Sequence, residues 1–83
     1  MGKGFLIVNP PYGERLKAQF SFAELAQALT KSEFQRIGVL LPIHANEEFL
    51  AQAQKTKYRQ IGSYRFKNGG IPVVFLILEF HAN

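Results

Sequence analysis

Cysteine is absent from the 83 residues, so neither disulfide staples nor thiolate metal sites are available. Aspartate is absent too, and the two histidines, His44 and His81, stand alone, which leaves zinc or calcium without a ligand set. Long apolar runs are missing: the longest, Val73 to Leu78, is far too short to cross a bilayer. The N-terminal Met1-Gly2-Lys3-Gly4-Phe5 lacks signal-peptide architecture and has no Ser or Thr at position 6 for myristoylation. No repeat, low-complexity tract or linker divides the chain. The expectation is a cytoplasmic protein of one domain, residues 1–83, with no membrane partner.

Hydrophobic residues make up 47% of the chain, enough for a core. At this size folding hides only about 63% of the unfolded surface, so that core is thin. The net charge of +4 is unevenly placed. Residues 1–54 carry five cations and five carboxylates, whereas residues 55–83 carry Lys55, Lys57, Arg59, Arg65 and Lys67 against Glu79 alone. Those cations, interleaved with Tyr58, Tyr64 and Phe66, have two readings: a phosphate-contacting surface, or helix-end charges and edge-strand protection.

Phe5-Leu6-Ile7-Val8 is wholly apolar and β-favouring, and reads as a strand buried on both faces. Asn9-Pro10-Pro11 stops it, since proline cannot donate to a ladder. Ser21 and Glu24 form a capping box, with Phe20 and Leu25 placed as a hydrophobic staple. Phe22, Leu25, Ala26 and Leu29 then form one apolar helical stripe. A second buried strand, Arg36 to Leu41, ends at Pro42. The next helix is expected from Asn46, with Glu47 and Glu48 at its positive end and Phe49, Leu50 and Ala53 inward. Lys55 and Lys57 suit its negative end. Ile61–Phe66 reads as a strand with a wet face, and Asn68-Gly69 as a hairpin turn with Gly70 adding a bulge. Val73–Leu78 should lie inside the sheet, with Phe49, Phe75 and Phe80 in the core. The fold class is therefore α/β, β-α-β-α-β-β, with two parallel strands and a C-terminal antiparallel hairpin.

Asn9-Pro10-Pro11-Tyr12 resembles motif IV of S-adenosylmethionine-dependent methyltransferases that modify exocyclic or amide nitrogens. Its continuation, Gly13-Glu14-Arg15-Leu16, is similar to the RNA methylase family that includes the guanine-N2 methyltransferases of large-subunit ribosomal RNA, departing at Lys17, where glycine is usual. The amphipathic helix, the strand ending Leu41-Pro42 and the segment Tyr64-Arg65-Phe66-Lys67-Asn68-Gly69-Gly70-Ile71 follow in that family's order. The resemblance covers most of this chain but only the C-terminal half of the family's catalytic domain. It implies a partial Rossmann-like methyltransferase fold, with Asn9, Pro10 and Tyr12 catalytic. Pro11, Gly13, Glu14 and Arg15, with Lys55, Lys57 and Arg59, would bind RNA; for Glu14 and Arg15 an exposed ion pair is the competing reading.

The chemistry of the motif has its own logic. A residue before proline is held extended, so the Asn9 side-chain oxygen and the Pro10 carbonyl form a rigid acceptor pair. Two acceptors gripping the hydrogens of a planar exocyclic amine favour the pyramidal geometry that develops during attack on a sulfonium methyl. Tyr12 offers a stacking face to a base drawn out of its helix. A stiff turn, with Asn9 on local backbone groups and Tyr12 on the surface, is the plain structural alternative.

The resemblance places the methyl donor mainly on strands that this chain lacks. No Gly-x-Gly follows a strand and no carboxylate stands at the ribose position, so S-adenosylmethionine belongs to a full enzyme and none is expected on the isolated chain, beyond the neighbourhood of Asn9. Two other functions stay open: a non-enzymatic RNA-binding or interaction module, and transfer to adenine N6 or a protein glutamine amide. The strand Phe5–Val8 would have a bare outer edge, which points to a homodimer through it or to a missing N-terminal half.

Overall fold

The computed structural model describes residues 4–9 and 21–81. Its elements, in chain order, are β1 (Phe5–Val8), α1 (Phe22–Thr30), β2 (Arg36–Pro42), a 3-10 turn (Ile43–Ala45), α2 (Asn46–Ala53), β3 (Tyr58–Asn68) and β4 (Ile71–Phe80). They form one mixed sheet in the order β1-β2-β4-β3. β1 runs parallel to β2, with Val8 opposite Val39. β4 is antiparallel to both neighbours, pairing Leu76 with Val39 on one side and with Ser63 on the other. The α/β character, the parallel pair and the hairpin all match the sequence reading.

Alpha helix α1 begins as the capping box requires: Ser21 Oγ accepts from the Glu24 amide at 3.1 Å, and Glu24 Oε1 accepts from the Ser21 amide at 3.2 Å. The staple partner Phe20 lies outside the described residues. After Lys31 the chain turns through Glu33, at φ 65°, into β2. α2 starts at Asn46 without a side-chain cap of its own. Glu48, in its first turn, instead accepts from the Ala23 amide of α1 at 3.1 Å, so one carboxylate serves the positive end of both helices. α2 ends at Ala53, leaving Lys55 and Lys57 beyond its last turn.

Both helices pack on one face of the sheet. Leu25, Ala26 and Leu29 of α1 and Phe49 and Ala53 of α2 meet Ile37, Val39 and Leu41 of β2 and Val74, Leu76 and Leu78 of β4. Alternate residues of β2 and β4 supply this face, as the pleat demands, and Gly38, Pro42 and Val73, which alternate with them, are buried too.

Three expectations need correction. β1 is not buried on both faces: Leu6 and Val8 pack toward the helices, whereas Phe5 and Ile7 are 51% and 64% exposed on the other face. The hairpin turn is Gly69-Gly70, not Asn68-Gly69: Asn68 pairs with Ile71, and both glycines have positive φ, 62° and 86°. Two consecutive positive φ values suit the primed turn of a two-residue hairpin, so Gly70 is part of the turn and not a bulge. The bulge falls between Gln60 and Gly62. Finally, Phe75 lies on the face opposite the helices, partly buried, its ring across Gly38, while Phe49 is wholly buried and Phe80 packs against the core edge.

Candidate functional site

The carboxyl ends of β1 and β2 point the same way, and in open α/β sheets ligands gather beyond such ends. Asn9 stands there, exposed, one step past the last ladder pair of β1. Pro10, Pro11, Tyr12, Gly13, Glu14 and Arg15 lie outside the described residues. β2 runs on to Pro42, and the turn that follows presents His44, exposed, with its ring edge-on to Phe22 at 6.3 Å. His44 is thus a residue of the 3-10 turn, set against the start of α1.

The same end receives the hairpin. Val8, Val39 and Leu76 are level across the sheet, and β4 begins five residues earlier, at Ile71. Ile71 therefore stands about 17 Å beyond the end of β1, and the Gly69-Gly70 tip farther out still. Arg65 and Lys67 ride on this overhang, opposite Val74 and Pro72. They share the Asn9 end of the sheet, three strands across from it, or roughly 15–18 Å away. A sequence signal for them existed: a turn at Gly69-Gly70, in a hairpin whose second strand pairs antiparallel to β2, puts its tip at the carboxyl ends.

Lys55, Lys57 and Arg59 lie elsewhere. Arg59 pairs with Glu79, which pairs with Arg36 at the start of β2. From Asn9 this is about four residue steps along the strands and three strands across, or roughly 20 Å. The structure therefore does not bring these three cations together with Asn9. Lys57 and Arg59 instead line a groove of about 610 Å³ with Gln54, Thr56, Gln60 and His81, a polar surface at the amino-end side of β2.

Beside it, a shallow cleft of about 450 Å³ is bounded by Lys57, Glu33 and Tyr58. Tyr58 is 4% exposed; its hydroxyl donates to the Phe34 carbonyl at 2.5 Å and its ring meets Phe80 edge-on at 5.4 Å. Burial holds its phenol above the ordinary value, the Glu33 charge adds to this, and contact with the Ser32 side chain opposes it. A buried, neutral, satisfied tyrosine is a structural pin, not a proton donor for chemistry at pH 7.

Among the described residues no group of three His, Cys, Asp or Glu side chains could hold a metal ion. No helix among them is long and apolar enough to cross a membrane. No protein-family model, no curated protein and no solved structure matches the chain.

Proposed function

We propose that this chain is the target-base half of an S-adenosylmethionine-dependent RNA N-methyltransferase, acting on guanine N2 of ribosomal RNA, with a Rossmann-like sheet of which the described strands are one side. The observation that carries this reading is the placement of Asn9: exposed, at the carboxyl end of a strand in a parallel pair, at the head of Asn9-Pro10-Pro11-Tyr12. An acceptor there meets a ligand lying beyond the strand ends, where its grip on an exocyclic amine strengthens as the nitrogen becomes pyramidal. Arg65 and Lys67 on the hairpin supply cations at the same end for the phosphates of the RNA. Among the described residues no strand pairs with the outer edge of β1, and there a donor-binding half would continue the sheet.

The test is methyl transfer from S-adenosylmethionine to ribosomal RNA by a polypeptide joining this chain to a donor-binding half. Asn9→Ala is expected to lower turnover about 100-fold or more, in line with loss of one transition-state contact, while RNA affinity stays within about twofold. Equal turnover in the variant removes Asn9 from the reaction. The isolated chain is expected to show no saturable uptake of S-adenosylmethionine in calorimetric titration.

A further inference from the structure

The face of the sheet opposite the helices is apolar. Phe5 and Ile7 of β1 and Tyr64 and Phe66 of β3 are each about half exposed there, at 51%, 64%, 58% and 48%, and Ile71 continues the row at 50%. Side chains of this size, half exposed, together present on the order of 500 Å² of mostly apolar surface. Phe75 and Ile77, partly exposed on β4, join the β1 side to the β3 side. The patch thus lies in the upper part of the roughly 300–600 Å² that the largest apolar patch of a monomer spans, and supplies more than half of the roughly 800 Å² that each partner gives to a stable interface.

Its relief is low, and two glycines are the reason. A Cβ on Gly38 would lie 2.6 Å from the tip of the Phe75 ring, and one on Gly62 would lie 3.3 Å from the Tyr64 ring. The rings lie down across these glycines, so the face is flat enough for another flat face to stack on it at the usual sheet-to-sheet distance of about 10 Å. Among the described residues, charge on this face is confined to one rim, where Arg36, Glu79 and Arg59 stand in a row across β2, β4 and β3, and Arg36 Nε donates to Glu79 at 3.1 Å.

The pleat sets the aromatic residues apart from the cations that alternate with them in the sequence. Tyr64 and Phe66 share the face opposite the helices with the partly exposed Phe75 and the wholly buried Val73, whereas Arg65 pairs with Val74 and so stands on the helix face, followed by Lys67. A nucleic acid laid on the aromatic side chains would find phosphate partners at the rim but not between the rings, as a stacking platform needs. Pairing along the edge of β1 would leave Tyr64 and Phe66, three strands and about 14 Å away, uncovered.

We infer that this face is a self-association surface, on which a second copy of the chain stacks sheet to sheet. A two-fold axis running across the strands keeps the two charged rims at opposite ends and lays β1 on β1 and β3 on β3. The inference is independent of methyl transfer and differs from strand pairing through Phe5–Val8 in which side chains it covers.

Sedimentation equilibrium of the 83-residue chain from about 5 to 500 μM is the test, with folding checked by circular dichroism. The expected species has twice the 9.4 kDa chain mass at the upper end. Phe66→Lys should raise its dissociation constant at least tenfold, and Tyr64→Lys is a second variant at the same side should the first not fold. A 9.4 kDa species throughout overturns the inference. So does a dimer that both folded β3 variants leave unchanged, which would assign association to the β1 edge. A monomer whose binding to a single-stranded oligouridylate weakens in Phe66→Lys would overturn it in favour of nucleic acid on this face.

Discussion

Replacing Tyr58 with phenylalanine removes one oxygen from a side chain that keeps its ring contact with Phe80. The lost hydrogen bond to the Phe34 carbonyl, at 2.5 Å, is worth about 1 kcal/mol net, and leaving that carbonyl short of a partner adds a comparable amount. The expected loss at pH 7 is therefore about 1–2 kcal/mol. For a chain of this size, with a urea m-value near 1 kcal/mol per molar, that moves the midpoint down by roughly 1–2 M. The pH dependence is more decisive. The folded state raises the phenol's pKa, chiefly through burial, above the unfolded value near 10.0. As pH climbs past 10, the unfolded chain loses this proton first, so it binds fewer protons than the folded chain and stability falls. Tyr58→Phe has no such proton. The two urea curves, recorded at one protein concentration, should thus be separated below pH 10 and converge above it, every other titrating group being common to both. A gap that stays constant from pH 7 to pH 11 would refute the burial of a neutral phenol as the source of the stabilisation.

Two further expectations concern other parts of the molecule. Glu33 adopts φ 65° between α1 and β2, a region costly for a side chain with a Cβ and free for glycine, so Glu33→Gly should raise stability by up to about 1 kcal/mol in the same urea assay. If RNA touches the groove at Lys57 and Arg59, replacing Lys55, Lys57 and Arg59 together with alanine should weaken binding and flatten its salt dependence by up to about three phosphate contacts; an unchanged slope assigns these cations to the protein surface alone.

Much of the fold could be read from short-range signals because the physics there is short-range. Ser21 and Glu24 announce α1 through two hydrogen bonds spanning three residues, and the structure makes both. The apolar runs around Val39 and Leu76 mark β2 and β4, whose helix-facing residues are wholly buried. What stayed hidden depends on register across strands far apart in the chain. Lys55, Lys57 and Arg59 look contiguous with Arg65 and Lys67 along the sequence, yet β3 carries the two groups toward opposite ends of the sheet. Tyr64, Arg65, Phe66 and Lys67 read as one mixed basic and aromatic patch until the pleat sends them alternately to two faces. Glu33 is opaque for another reason: nothing in a glutamate signals left-handed backbone, which the packing of α1 against β2 imposes. Asn9 was legible as the end of a strand, and its exposure follows from that position.

β4 is synthesised after the other described strands, yet it lies inside the sheet, with β2 on one side and β3 on the other. Arg36 and Glu79, which meet across β2 and β4, are 43 residues apart in the chain. During translation, then, β1, α1, β2 and α2 emerge before the strand against which β2 must pair. β2 waits with one edge open and Ile37, Val39 and Leu41 short of half their neighbours. Non-local pairing of this kind slows folding, and a nascent chain halted there is a candidate for chaperone capture. The molecule should therefore tolerate loss of its strands very unequally: removing residues 5–8 takes the strand at one edge of the described sheet, whereas a stop codon before Val74 removes the middle of that sheet.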